Sequence, residues 1–262
     1  MIDIGCQTYS LRSRPTDEML ACVRKAGFRS VELWAGHADH RVGDREAVRV
    51  RRAAEDIGVS IGAYSAGGFV RVAVAGVEAG LASAFGFAAA LGADLVTGVI
   101  DRRALPVVDA LCRRTGIRFA IENHWYADFA RAEDYTDALG GVSPLVGVAL
   151  DTGHLVAAGQ RPATALALLG DRVFDVHLKD VMIPGRLARW FLRRPRMELR
   201  SVGSGEGELE SFLGAIAQNG YRGRVVIEDE RPELPLSDLQ ASLRAAQGML
   251  RSATRPLAKA VS

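Results

Sequence analysis

Four side chains able to bind a metal ion stand in four successive apolar segments in the second half of the chain. Glu122 ends RFAIE, Asp151 ends VGVALD, His177 lies within VFDVHL, and Glu228 lies within RVVIED. A carboxylate in such a segment is costly to bury unless a positive charge compensates it. Three oxygen donors and one imidazole suit a divalent cation, with Mn²⁺ or Mg²⁺ favoured and Co²⁺ or Zn²⁺ also compatible. We therefore predict that these side chains bind one divalent metal ion as cofactor.

Other polar residues also lie within or near the ends of apolar segments. Every histidine of the chain lies within or soon after an apolar segment, at His37, His40, His124, His154 or His177. We interpret Glu32 and His40 as structural residues that hydrogen-bond a neighbouring loop. Aromatic and polar side chains at segment ends either line a pocket or contribute to packing, and they include Tyr64, Gln7, Trp34 and Trp125.

The apolar segments recur with a regular punctuation. A helix-like stretch ends at a glycine, which supplies a left-handed C-cap, and a short apolar run follows. The glycines are Gly27, Gly58, Gly92, Gly116, Gly140-Gly141, Gly170 and Gly220. The runs after them are SVELW, SIGAYS, DLVTGVI, RFAIEN, VGVALD, VFDVHL and RVVIED, and the opening IGCQTYS completes eight strands. The first helix is expected to begin at Thr16-Asp17, which can cap it.

Alternation of nearly continuous apolar strands with helices indicates a parallel sheet covered by helices. Eight such units predict an α/β fold, a (β/α)8 TIM barrel in a single domain over residues 1–252, with a doubly wound open sheet as the alternative. Functional side chains of such a barrel gather at the carboxyl ends of its strands, where the residues named above lie. Residues 253–262 are predicted to form a disordered tail.

One long segment, from Val181 to Glu206, interrupts the repeat. It holds six arginines between Arg186 and Arg200, and we expect a solvated loop or lid. In a functional alternative, Arg193 and Arg194 bind a phosphate or carboxylate of the substrate. The glycines of GSGEG lack the strand and the spacing of a nucleotide-binding motif, so a tight turn is expected there.

The composition narrows the class of protein. Hydrophobic residues make up 48% and charged residues 24% of the chain, which is typical of a folded globular protein. A formal net charge of +2 provides no basic excess for nucleic acid. Three scattered cysteines and a start without a signal-peptide pattern predict a cytoplasmic protein. No apolar run is long enough to span a membrane.

The chain resembles the xylose isomerase-like TIM barrel superfamily, the sugar phosphate isomerase and epimerase family, in six local patterns. They are VELWAGH (31–37), IENH (121–124), LDTGH (150–154), VHLKD (176–180), GSGEGELE (203–210) and VIEDE (226–230). The superfamily includes sugar isomerases, ketose 3-epimerases, inosose and 3-dehydroshikimate dehydratases, and nucleases of the endonuclease IV type. The patterns run from the second to the eighth strand, so the resemblance covers nearly the whole chain.

The resemblance implies roles for particular residues. The metal ligands of the family match Glu122, Asp151, His177 and Glu228. The acid and base of the epimerases match two of these, Glu122 and Glu228. The substrate-binding positions of the family, and of its dehydroshikimate dehydratases, match His154, His124 and Lys179. Two strand-end residues complete the expected substrate-binding set, His37 and Tyr64.

The resemblance implies a divalent-metal-dependent isomerase or epimerase that acts on a sugar, ketose or sugar phosphate by proton transfer through an enediolate. The alternative is a metal-dependent dehydratase, a lyase acting on a keto-polyol such as 3-dehydroshikimate or inosose. A third alternative is a subunit of a hetero-oligomeric sugar-processing enzyme that docks its partner through Trp190 and the surrounding loop. The expected binding partner is a small sugar or polyol substrate. We expect no binding to nucleic acid or to a membrane, and the sequence is compatible with a homo-oligomer.

An endonuclease IV-like nuclease is disfavoured. Such nucleases need further metal ligands, including a histidine on the third strand, where this chain has GAYSAG. Their Asp-x-His pattern after the seventh strand is absent from this sequence as well.

Overall fold

The computed structural model describes residues 2–70, 74–185 and 197–253. Its strands are β1 (Ile4–Gln7), β2 (Ser30–Trp34), β3 (Ser60–Phe69), β4 (Leu95–Ile100), β5 (Arg118–Glu122), β6 (Val146–Asp151), β7 (Val173–Leu178), β8 (Asp180–Met182), β9 (Glu198–Arg200) and β10 (Val225–Ile227). Eight of them form a closed parallel barrel in the order β1-β10-β7-β6-β5-β4-β3-β2. The predicted TIM barrel is therefore confirmed, and an open doubly wound sheet is excluded.

Helices connect the barrel strands. They span Thr16–Ala26, Asp44–Asp56, Val74–Leu91, Leu105–Thr115, Glu133–Leu139, Thr152–Ala157, Pro162–Leu169, Leu209–Gln218 and Leu236–Ala253. Short 3-10 turns lie at Thr8–Leu11, His40–Val42, Arg102–Ala104 and Gly170–Arg172. No helix in these described ranges is both long and apolar enough to cross a membrane.

The predicted helix boundaries hold at some residues and fail at others. Gly27 ends the first helix with a φ of 105°, the left-handed conformation that glycine adopts without strain. Gly140 was predicted to act in the same way, but its φ of −63° is right-handed helical. Thr16 was expected to cap the first helix, but Pro15 is the N-cap and Thr16 already lies inside the helix. The Thr16 hydroxyl donates instead to the carbonyl of His37.

Side chains alternate between the two faces of each barrel strand. On β5, Phe119 and Ile121 join the main hydrophobic core together with residues of the surrounding helices. Ala120 belongs to a smaller cluster with Ala63, Leu95, Ala149 and Phe174. The period of two puts Glu122 on the same face of β5 as Ala120. The barrel interior therefore contains three alanines together with Leu95 and Phe174 in this cluster, and polar residues at the carboxyl ends of the strands.

The segment predicted as one irregular loop contains a short hairpin. β8 pairs antiparallel with β9, with Val181 opposite Leu199. Residues 186–196, including Trp190, Arg193 and Arg194, lie outside the described residues, so their predicted roles stay predictions. The last helix reaches Ala253, the first residue of the predicted tail, and residues 254–262 also lie outside the described ranges.

The glycine-rich segment after β9 folds around a buried carboxylate. Asp180 Oδ2 accepts hydrogen bonds from the backbone amides of Gly203 (2.8 Å) and Gly205 (2.9 Å), and Oδ1 accepts one from Gly207 (3.1 Å). A Cβ at Gly205 would lie 2.4 Å from Asp180 Oδ1, so a larger residue does not fit there. The expected tight turn is thus a loop anchored on Asp180.

Replacing Asp180 by Ala should lower the free energy of unfolding by about 2–4 kcal/mol, because several backbone donors lose a buried acceptor together. Urea denaturation followed by circular dichroism measures this change. Asp171→Ala removes an exposed carboxylate and serves as the control, with an expected change within about 0.5 kcal/mol. Equal stability of the two variants would contradict the anchoring role of Asp180.

Candidate metal centre

The four predicted ligands converge at the carboxyl end of the barrel. Ligand atoms of Glu122, Asp151, His177 and Glu228 lie within 4.8 Å of one another, and all four residues are buried. His177 Nδ1 lies 3.6 Å from Glu122 Oε1 and 3.3 Å from Glu228 Oε2. Within the described ranges, His177 Nδ1, Asp151 Oδ2 and Glu228 Oε2 have no hydrogen-bond partner. Buried polar atoms that lack partners and face a common centre fit a divalent cation.

A buried lysine lies beside the same carboxylates. Lys179 Nζ lies 2.7 Å from Asp151 Oδ2 and 3.0 Å from Glu228 Oε2, and it donates a 2.8 Å hydrogen bond to Glu230 Oε1. The first two contacts are ion pairs without hydrogen-bond geometry. Burial would lower the pKa of Lys179, but the carboxylates outweigh it and raise the pKa well above its usual value. Lys179 is therefore a charged ammonium group within the centre.

The carboxyl groups of the centre differ in pKa because their partners differ. Burial raises the pKa of Asp151 to about 6, although the charge of Lys179 opposes this shift. Burial acts the same way on Glu228, but Lys179 above all outweighs it and holds the pKa at about 2. For Glu122, its two imidazole neighbours outweigh burial, and the pKa lies well below its usual value. Glu122 and Glu228 are therefore ionised at neutral pH.

Glu32 and Thr97 form a second polar layer inside the barrel, next to His177. The prediction for Glu32 was wrong. Glu32 does not bond a neighbouring loop, because its side chain points into the barrel. Its Oε2 lies 3.0 Å from His177 Nε2, and its Oε1 accepts a 2.7 Å hydrogen bond from Thr97 Oγ1. With Nε2 held by Glu32, Nδ1 of His177 faces the candidate metal site. The sequence interpretation also missed Asp175, which lies two residues before His177 and so shares its strand face.

The backbone around Asp151 is fixed on both sides. Its Oδ1 accepts a 2.8 Å hydrogen bond from the amide of His154 and caps a short helix, which leaves Oδ2 facing the centre. The side chain of Asn123 accepts from the Asp151 amide (2.7 Å) and donates to the Asp151 carbonyl (3.1 Å). Asn123 was not singled out from the sequence, although it lies directly after Glu122 in IENH.

The threonine and glycine of LDTGH position Lys179. Thr152 Oγ1 donates a 2.7 Å hydrogen bond to the carbonyl of Lys179. A Cβ at Gly153 would lie 2.8 Å from Lys179 Cγ and 3.0 Å from Val181 Cγ1. Glycine therefore leaves the space through which the lysine side chain reaches the carboxylates.

Two further predicted residues lie beside Glu122. His124 Nε2 lies 3.4 Å from Glu122 Oε1. Burial would lower the pKa of His124, but Glu122 outweighs it and raises the pKa. The ring of His154 is buried, with its centroid 3.8 Å from that of His124. Burial and then the charge of Lys179 lower the pKa of His154 well below its usual value, so this imidazole is neutral.

The closed parallel barrel agrees with the result of a comparison of the sequence with known protein families. The model of the xylose isomerase-like TIM barrel family matches residues 20–253. The chain belongs to this family.

The proteins that this chain resembles catalyse different reactions. The chain is 25% identical to an inosose dehydratase from Clostridium tetani over 150 residues, which cover 55% of this chain and 50% of that relative. A probable 3-DHS dehydratase from Bacillus anthracis superposes with a TM-score of 0.75 at 14% identity over 94% of this chain and 99% of that one. A D-psicose 3-epimerase superposes with a TM-score of 0.73 at 17% identity over 96% and 99%. At these identities the two structures are evidence for the fold alone.

In this xylose isomerase-like barrel, two predicted substrate-binding residues have partners of their own. The ring nitrogens of His37 contact the 3-10 turn Thr8–Leu11 at 3.1 and 3.2 Å. Tyr64 packs its ring against the helix Val74–Leu91, and its hydroxyl accepts a hydrogen bond from the amide of His40. The His40 ring also contacts this hydroxyl, with Nδ1 3.1 Å from Tyr64 Oη, so its partner is a strand residue and not the neighbouring loop that was expected. Substrate binding by His37 and Tyr64 stays a prediction.

We expect the purified protein to bind about one Mn²⁺ per chain, because four ligands converge on one point. Asp151→Ala and His177→Ala should each lose this ion, as measured by mass spectrometric metal analysis after dialysis. His40→Ala removes a histidine outside the centre and should keep the metal. Unchanged metal content in both ligand variants would refute the assignment.

Glu32→Gln should weaken Mn²⁺ binding by about 10–100-fold, because Glu32 holds the imidazole ring whose other nitrogen faces the metal. Isothermal titration calorimetry measures the affinity. Glu55→Gln makes the same change on an exposed helix position and should bind like the wild type. An affinity in Glu32→Gln equal to that of this control would show that Glu32 does not position His177.

Proposed function

We propose that this chain is a divalent-metal-dependent dehydratase, a lyase that removes water from a keto-polyol such as an inosose. One observation carries the proposal: Glu122 and His124 form an adjacent pair, 3.4 Å apart, while the ammonium group of Lys179 lies against Glu228. Elimination needs a base and an acid close together, and this pair supplies both. The inosose dehydratase that the chain resembles supports the proposal, although the match spans half of that relative's length.

The proposed ligands of the metal are Glu122, Asp151, His177 and Glu228. Bound there, a divalent cation would act as a Lewis acid on the substrate carbonyl and acidify the adjacent carbon. Mn²⁺ or Mg²⁺ suits three carboxylates and one imidazole best. Lys179 would neutralise part of the carboxylate charge around the ion, because its ammonium group contacts Asp151 and Glu228.

The acid and base steps involve only residues of this chain. The carboxylate of Glu122 takes the proton from the carbon beside the carbonyl. Protonated His124 gives its proton to the hydroxyl on the next carbon, the carbon–oxygen bond breaks, and water leaves as the carbon–carbon double bond forms. The proton on Glu122 then returns to His124 across their 3.4 Å contact, which restores the pair. The raised pKa of His124 favours its protonated form before the reaction.

An isomerase or epimerase is the second candidate function, and the position of Glu228 favours it. Glu122 and Glu228 contact His177 Nδ1 from different strands, at 3.6 and 3.3 Å, so two carboxylates face one centre. Such a pair can remove a proton and return it to the adjacent carbon or to the opposite face. The contact between Lys179 and Glu228 counts against this candidate, because the ammonium group lies 3.0 Å from Oε2, an oxygen through which Glu228 would exchange the proton.

For both candidates, His154, His124 and Lys179 are the proposed substrate-binding residues, and a small sugar or polyol is the proposed partner. We also propose a cytoplasmic location, from the three free cysteines. Nothing in the described surface argues for nucleic acid, whose binding needs a basic excess.

Turnover in deuterated water, followed by NMR and mass spectrometry with inososes, 3-dehydroshikimate and ketoses, separates the two candidates. A dehydratase yields a product lighter by one water. An isomerase or epimerase loses no water, and its product contains deuterium on a carbon beside the carbonyl. Glu122→Gln and His124→Gln should each lower the rate of water loss by about 10²–10⁴-fold. Glu55→Gln is the control on the surface. Full activity in either active-site variant would refute the pair, and deuterium incorporation without water loss would support the second candidate.

A further inference from the structure

Arg12 lies at the rim of the barrel mouth, and its guanidinium group has only neutral partners. It follows the 3-10 turn Thr8–Leu11 after β1. Its Nη2 donates a 2.9 Å hydrogen bond to the carbonyl of Glu230, and its Nη1 donates a 3.4 Å hydrogen bond to the carbonyl of Tyr9. The Cζ atom lies 4.7 Å from the centroid of the Tyr9 ring. Within the described ranges Arg12 forms no ion pair, so its charge is held in place without a counter-charge.

Two neighbouring arginines are already neutralised. Arg14 forms an ion pair with Glu18, and Arg231 forms one with Asp229 at 2.7 Å. The charge of Arg12 is therefore available to a ligand, whereas the charges of these two neighbours are compensated within the protein.

Space for a ligand lies beside the Arg12 side chain. A cavity of about 470 Å³, lined in part by Arg12, separates the loop after β1 from the loop after β10. Its lining includes the carboxylates of Glu18 and Glu233, and neither forms an ion pair with Arg12. A small anionic group that approaches the guanidinium therefore finds both room and an uncompensated charge.

Arg12 is connected to the proposed metal centre through Glu230. The Glu230 carbonyl accepts the hydrogen bond from Arg12, whereas its Oε1 accepts a 2.8 Å hydrogen bond from Lys179 Nζ. The carboxylate of Glu230 is thus directed to the lysine and not to the arginine. One residue separates the guanidinium from the ammonium group of the centre, so Arg12 belongs to the edge of that centre.

Tyr126 lies near both the acid–base pair and the residues that hold the guanidinium. Its ring centroid lies 4.6 Å from that of His124. Burial, and then the charges of Glu122 and Glu230, raise the pKa of Tyr126, and Tyr9 adds to this shift. Because such charges act over short distances, Tyr126 is close to each of these groups. A substrate that reacts at the acid–base pair therefore lies beside the guanidinium side of the mouth.

We propose that Arg12 binds a carboxylate group of the substrate, which makes the substrate an acidic keto-polyol. The inference rests on the proposed function, because the ketone of this substrate reacts at the metal centre. A planar guanidinium matches a carboxylate with two parallel hydrogen bonds, and the carbonyl contacts already hold Arg12 in one orientation. One guanidinium also balances the single charge of a carboxylate, whereas a phosphate group carries about two charges at neutral pH. Arg12 is thus a specificity-determining residue and takes no part in proton transfer.

Calorimetry in excess Mn²⁺ tests the site with two ring polyols that lack the ketone, shikimate with its carboxylate and myo-inositol without a charge. Arg12→Gln should weaken shikimate binding by about 10–100-fold, because charge-assisted hydrogen bonds are lost, and should leave myo-inositol binding unchanged. Arg12→Lys keeps the charge without the planar fork, so its shikimate affinity should be intermediate. This variant carries the test if circular dichroism shows that Arg12→Gln is unfolded. Arg24→Gln is the matched control, since Arg24 also donates to a carbonyl but lies in the last turn of the first helix.

The outcomes separate this inference from the proposed function. Shikimate binding that is absent from the wild type, or equal in the wild type and Arg12→Gln, would overturn the carboxylate site. Fructose 6-phosphate binding that is tighter than shikimate binding and is lost in Arg12→Gln would overturn it as well, in favour of a phosphate site. Water loss from inososes but not from 3-dehydroshikimate would overturn the acidic substrate and leave the dehydratase intact. Shikimate binding that depends on Arg12, without water loss from any substrate, would refute the dehydratase and retain the carboxylate site.

Turnover gives a second measurement of the same residue. With 3-dehydroshikimate, Arg12→Gln should raise KM by about 10–100-fold with little change in kcat, because the lost contact is made equally before and during the reaction. The KM for an inosose should stay unchanged. A fall in kcat with KM unchanged would contradict a role in substrate binding.

Discussion

Among the residues that the structure describes, the carboxyl end of the barrel holds more buried negative charge than the neighbouring cations neutralise. Asp151, Glu228 and Glu230 share the single ammonium group of Lys179, and Glu122 relies on histidines. Taking such charges out of water is unfavourable unless they are paired. The segment after β6 serves this requirement, because Thr152 bonds the Lys179 carbonyl and Gly153 leaves space for the lysine side chain. A divalent cation at the proposed site would supply the charge that the described residues lack.

The strands satisfy this constraint by giving each face a different composition. Outward side chains such as Phe119 and Ile121 pack against helices, and this burial stabilises the barrel. Some inward positions are small, as at Ala120 and Ala149, and they leave space for polar side chains nearby. Glu32 uses this space to reach His177 from inside the barrel. Larger inward residues would fill the barrel with an ordinary apolar core and exclude the buried carboxylate.

Much of the fold and of the central cluster could be predicted from the sequence. Glu122 and Asp151 end strands that are parallel neighbours, so the barrel alone requires them to meet. Contacts between strands that are not neighbours in the barrel, such as that of Glu32 with His177, could not be predicted in the same way. Glu32 was assigned to a loop contact because the sequence does not reveal the register shift between Val31 and Glu32. The depth of Lys179 was hidden as well, since it depends on the space at Gly153.

Gly153 has a consequence for how related chains are compared. Any side chain at this position would collide with the stem of Lys179, so the glycine and the lysine are sterically linked. Barrels that carry both residues bring a permanent cation of their own to the carboxylates. A bulkier residue at the position of Gly153 would force the lysine side chain to move, so such a barrel would need that charge from another residue. The two positions together therefore form a simple marker for sorting homologous sequences into chains with a built-in counter-ion and chains without one.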